Sequence, residues 1–136
     1  MKLPIGIQNF EKIRRDNYVY IDKTKDIFNL INDYSYAFLA RPRRFGKSLL
    51  LDTMKCLFEG KKELFKGLWI YENWEFEKYP VIKISWAGDL SSIEGVKTRA
   101  FDIFKDNQKR LNITCENTSN PGIPLSLSIP LTSPIL

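Results

Sequence analysis

Residues Tyr36–Gly60 read YAFLARPRRFGKSLLLDTMKCLFEG. The run opens on a short apolar stretch, Tyr36 to Ala40, that reads as a strand. It passes through a basic turn closing on Gly46-Lys47-Ser48 and continues as a helix. Strand, phosphate-sized loop and helix are the context in which a Gly-Lys-Ser tripeptide points to nucleotide chemistry. A helix N-terminus offers unsatisfied N–H groups and the positive end of the dipole. Gly46 permits close backbone approach, Lys47 can reach the β- and γ-phosphates, and the Ser48 hydroxyl can ligate Mg²⁺. Leu50, Met54 and Leu57 recur at i, i+4, i+7, with Leu51 and Phe58 widening the apolar face. Gly60 is placed to stop the helix.

The loop departs from the general pattern G-x-x-x-x-G-K-[ST] at its first position, which is Arg41. Arginine reaches positive φ at higher cost than glycine, and Pro42 stiffens the entry. The candidate phosphate-binding set is Arg41, Pro42, Arg43, Arg44, Phe45, Gly46, Lys47, Ser48 and Leu49, with Arg43 or Arg44 expected to supply charge in place of the standard cradle, or to contact a neighbouring subunit.

The chain has 136 residues, of which 43% are hydrophobic and 13% aromatic, and a net charge of +5. These values suit a globular core and favour anionic partners such as nucleotide or nucleic acid. Histidine is absent, which removes histidine acid–base chemistry and most transition-metal sites. The two cysteines, Cys56 and Cys115, are far apart, fit no metal-ligand spacing and suggest no disulfide framework. No run reaches transmembrane length and the N-terminus carries no long apolar stretch, so the expected setting is cytoplasmic.

Along the chain, Asn9 is placed to cap a short helix or turn around residues 9 to 15. Tyr18 to Ile21 reads as extended. Asp22-Lys23-Thr24 leads into a helix with Ile27, Leu30 and Ile31 on one stripe. Another short helical piece follows Lys61. The aromatic run Trp69 to Trp74, interleaved with acidic residues, reads as packing surface. Val81 to Trp86 is a second clear strand. Ser91 with Glu94 forms a capping box for a helix to Leu111 on which Ile93, Val96, Ala100, Ile103 and Phe104 keep the apolar period. The alternation predicts an α/β fold, a parallel sheet with crossover helices.

From Asn117 the composition changes to NTSNPGIPLSLSIPLTSPIL, with four of the seven prolines and no charge. Residues 1–116 are thus expected to form the domain. Residues 117–136 are expected to be a disordered or non-native tail, as from a shifted frame or premature end. No apolar run ends in an acidic residue that could hold Mg²⁺, which makes hydrolysis by this chain alone doubtful.

The segments LPIGIQNFEKIRRDNYVYIDKT, ARPRRFGKSLLL, FEGKKELFKGLWI and YPVIKISW, in this order, resemble the AAA-ATPase-like domain over roughly residues 3 to 116. That family's loop has arginine where standard loops have the first glycine, so Arg41 fits it. The resemblance implies a P-loop NTPase fold, here partial and incomplete at the C-terminus, binding ATP and Mg²⁺. It implies that Asp22, Lys23 and Thr24 lie near the adenine or ribose. In larger relatives the domain precedes a PD-(D/E)XK nuclease-like domain, which implies nucleic acid as an indirect partner. No catalytic residue and no oligomeric state follow from it. Two other functions fit the residues: a non-enzymatic nucleic-acid-binding module using Arg41, Arg43, Arg44 and Lys47, or an inactive fragment.

Overall fold

The computed structural model describes residues 2–88 and 90–113. The chain divides into two compact units, residues 1–79 and 80–136. The tail from Asn117 lies outside the described residues.

In the first unit, helix α1 spans Phe10–Arg15, α2 Thr24–Asp33 and α3 Lys47–Phe58, followed by 3-10 turns at Lys62–Phe65 and Trp69–Tyr71. The Asn9 side chain accepts the Lys12 N–H at 2.7 Å, the expected cap of α1. Phe10, Ile27, Cys56, Leu57, Leu64, Phe65, Leu68 and Ile70 form the core. The predicted Leu50–Met54–Leu57 stripe packs on the core, Leu57 buried and Leu50 and Met54 partly so; Asp52, Thr53 and Cys56 are buried beside it, while Leu51 is exposed. Asp52 joins the buried face through a hydrogen bond. Its Oδ2 accepts the buried N–H of Phe10, the first residue of α1, at 2.8 Å, satisfying a donor that α1 cannot satisfy itself.

Gly60 ends α3 as expected, at φ 71°. The Lys61 N–H donates to the Cys56 carbonyl and the Gly60 N–H to that of Leu57, both at 3.1 Å, the paired bonds of a Schellman stop. A Cβ on Gly60 would sit 3.1 Å from the Phe76 carbonyl oxygen.

The expected parallel sheet does not form. The described residues are about half helical and contain no sheet; the first unit holds a single parallel bridge, Lys2 to Tyr18. Residue 36 lies in a bend and residues 37–40 carry no regular secondary structure, and Tyr36 and Phe38 are 94% and 93% exposed. A short apolar run suits a sheet, but a ladder needs a neighbouring strand at about 4.8 Å.

The second unit shows what replaces that neighbour. Helix α4 spans Ile93–Leu111, and residues 81–86 form no strand, with Ile82 in an isolated bridge. The Asn107 amide donates to the Lys83 carbonyl at 2.9 Å and accepts the Lys83 N–H at 3.0 Å. Arg99 donates to the Ser85 carbonyl through Nε at 3.0 Å and Nη2 at 2.7 Å, and Arg110 donates to that of Val81. Helix side chains thus satisfy backbone groups that a sheet would otherwise pair. The cap of α4 is Ser92, whose hydroxyl accepts the Gly95 N–H at 3.0 Å, one residue beyond the expected Ser91.

Candidate functional site

The predicted loop leads into α3 as its sequence requires. Gly46 is the N-cap of α3 at φ 77°, and its carbonyl accepts the Leu50 N–H at 2.9 Å. The N–H groups of Lys47, Ser48 and Leu49 therefore precede the first intrahelical bond. The Lys47 ammonium reaches back across the loop, donating to the carbonyls of Arg41 and, at 2.8 Å, Pro42. Arg44 stands at φ 69°. A left-handed arginine stores about 1–3 kcal/mol of strain, which such loops concentrate at functional positions.

A cavity of about 760 Å³ brings Arg43, Arg44, Gly46, Lys47, Ser48 and Leu49 together, facing Pro4 to Gln8. Arg41 and Phe45 instead line a second, largely apolar cavity of similar volume, with Lys23, Asp26, Leu30 and Leu39. Pro42 contributes its carbonyl to Lys47. The nine predicted loop residues thus divide between a basic cavity, an apolar one and the bond that closes the loop. The segment Pro4–Gln8 was not among the sequence candidates. Its signal is Gly6 two residues after Pro4, and Gly6 takes φ 72°.

Ser48, exposed at the start of α3, would be the protein ligand of a magnesium ion. Among the described residues no group of three or more acidic, cysteine or histidine side chains could hold a metal ion.

The Asp22–Thr24 segment is structured by the protein itself. Asp22 Oδ1 accepts from the Thr24 N–H at 2.9 Å and the Thr24 hydroxyl at 2.6 Å. Its Oδ2 accepts the Trp69 N–H at 2.7 Å, and the buried Thr24 Oγ1 accepts that of Ile70 at 3.2 Å. Partial burial pushes the Asp22 carboxyl up, but the bonds from Thr24 and Trp69, with the charge of Arg14, outweigh it and hold it below its ordinary 3.8. Both oxygens are engaged, and Lys23 lines the apolar cavity.

Beneath the loop, Thr53 Oγ1 donates to the Leu49 carbonyl at 2.9 Å. Burial pushes the Cys56 thiol up to about 12, so this cysteine is a packing group and not a nucleophile. No described helix is long and apolar enough to cross a membrane.

A protein from Azotobacter chroococcum mcd 1, described as an uncharacterized protein in the vnfD 5'region, is 43% identical over 125 residues. The match covers 88% of this chain and 24% of that relative, so the chain spans about a quarter of its length. No solved structure matches the chain. A family model described as a predicted AAA-ATPase matches residues 4–132. With that match running along nearly its whole length, the chain belongs to the AAA-ATPase-like family.

Proposed function

We propose that this chain binds Mg²⁺-ATP, with the phosphates held in the basic cavity at the start of α3. The carrying observation is the convergence of Arg43, Arg44, Gly46, Lys47 and Ser48 on one cavity at that helix's N-terminus. Free amides and the helix dipole meet the phosphates, Lys47 neutralises charge between them, and the Ser48 hydroxyl completes the shell of their Mg²⁺. Family membership supports the same ligand. Binding is the activity proposed. In a longer protein of the family, this region would be the nucleotide-binding part beside a nuclease-like domain.

The test is a thermal melt of the chain and of Lys47→Ala, each with and without Mg²⁺-ATP. Ligand at 100 times Kd adds about 2.7 kcal/mol to a folded state that alone binds it. The parent is expected to melt higher with ATP, and Lys47→Ala to be indifferent. An unshifted parent would refute the proposal.

A second reading has its own support: Arg41, Arg43 and Arg44 are exposed, and none pairs with a described carboxylate in the ion pairs found. These residues would make a patch for nucleic-acid phosphates. Affinity that falls steeply with salt and ignores Mg²⁺ would favour it.

A further inference from the structure

We infer that the apolar cavity between α2 and the loop is a second ligand site, one for an aliphatic monocarboxylate, and that this ligand opposes nucleotide binding. The carboxylate site stands on its own geometry; the opposition rests on the phosphate reading of the loop.

The cavity encloses about 760 Å³, within the range of small-molecule sites. Its walls are mostly aliphatic: Val19 and Ile21 from the segment before α2, Ile27 and Leu30 from that helix, and Leu39 and Leu49 flanking the loop. Folding leaves part of this lining in water, since Ile21 is 73% exposed and Leu3, on the same cavity, 68%. An alkyl chain laid along these side chains would remove apolar surface from water on both partners.

Charge decides the head group. Lys23, Arg41 and Asp26 line the same cavity. Neither cation belongs to any of the ion pairs found among the described residues, and Lys23 stands at the N-cap of α2 without a side-chain bond to that helix. Two cations against one carboxylate leave a single net positive charge, which a monoanion matches and a phosphate dianion or a cation does not. Arg41 brings the planar donor fork that suits a carboxylate.

The apolar and basic cavities share Pro4, Gly46 and Leu49, and one bond crosses between them. Lys47, on the basic side, donates to the carbonyl of Arg41, which lines the apolar side. That bond fixes the Arg41 backbone and so limits where its guanidinium can stand. Phosphates that draw Lys47 away release it. A carboxylate on Arg41 thus favours the tethered loop and the nucleotide the released one, so each ligand weakens the other by the same factor.

Calorimetric titration of the whole chain with decanoate, kept below its micelle concentration, and with decyltrimethylammonium, of like chain and opposite charge, tests the site. The parent is expected to bind decanoate and not the cation. Ile21→Asn, at an exposed wall position, should weaken decanoate about tenfold. Lys23→Gln should weaken it several-fold and Lys23→Arg restore it, each variant being checked by its circular-dichroism melt. Absence of decanoate binding, equal binding of the two amphiphiles, or a melting temperature that falls with decanoate would overturn the carboxylate site. Mg²⁺-ATP titrated in saturating decanoate should bind about fivefold more weakly, and decanoate in saturating Mg²⁺-ATP weaker by the same factor. Unchanged ATP affinity would overturn the opposition and leave the carboxylate site standing. A chain that binds decanoate and not ATP would remove the phosphate reading, and the opposition with it.

Discussion

Arg44 and Asp52 show two ways in which one residue serves the loop. Arg44 holds a left-handed backbone that glycine adopts freely, so its side chain sits there against local strain. Arg44→Gly is expected to raise stability by up to about 1 kcal/mol and to weaken ATP binding, because strain and charge leave together. Paired chemical melts and nucleotide titrations would show the opposed signs; a variant weaker in both would mean that the arginine supports the fold. Asp52 acts from below, joining α3 to the first turn of α1 through the Phe10 N–H. Asp52→Ala strands that buried donor and should cost about 1–3 kcal/mol. Asp52→Asn keeps an acceptor oxygen and should cost less, a ranking that urea denaturation would measure.

At the scale of elements, the Asp22 carboxylate fastens the start of α2 to the Trp69–Tyr71 turn. Its folded-state pKa lies below the ordinary 3.8, so its contribution is complete above that value and is lost as pH falls through the depressed one. Asp22→Asn has one acceptor oxygen for two sets of donors and does not titrate. Its stability deficit should therefore be full near neutrality and shrink below about pH 4; a deficit independent of pH would exclude the carboxylate as its source.

Helices α1, α2 and α3 and the glycine stop of α3 were legible in the sequence because caps, periodicity and turn residues are local. The expected strands do not form because a short apolar run records a preference for burial, whereas a strand depends on a partner that sequence proximity does not supply. Asn107 could not be identified as the group pairing with Lys83, since that relation spans 24 residues and depends on how α4 lies. The turn into α3 was legible from Gly46-Lys47-Ser48. The facing wall was not, because Pro4 to Gln8 meet the loop only through the fold.

At the scale of the molecule, the unpaired segment 36–40 leaves Tyr36 and Phe38 in water on alternate positions. Exposed backbone edges with apolar side chains template association between chains. Phe38→Lys is expected to lower self-association without lowering the melting temperature, since Phe38 contributes almost no burial. Light scattering against concentration would reveal it; unchanged scattering would mean that another surface drives association.

The bond from Lys47 to the Arg41 and Pro42 carbonyls has a kinetic consequence. The ammonium acts as an internal tether, and a phosphate that draws it away releases two exposed carbonyls that water can solvate at once. The loop can therefore open and reclose as a local fluctuation, without engaging the core, on a clock set by one side chain. Removing the tether in Lys47→Ala should speed amide hydrogen exchange at Arg43–Gly46 even with no nucleotide present, while exchange at Cys56 and Leu57 keeps the pace of the whole fold. The residue proposed to hold the phosphates would then also set how often the loop is open to receive them.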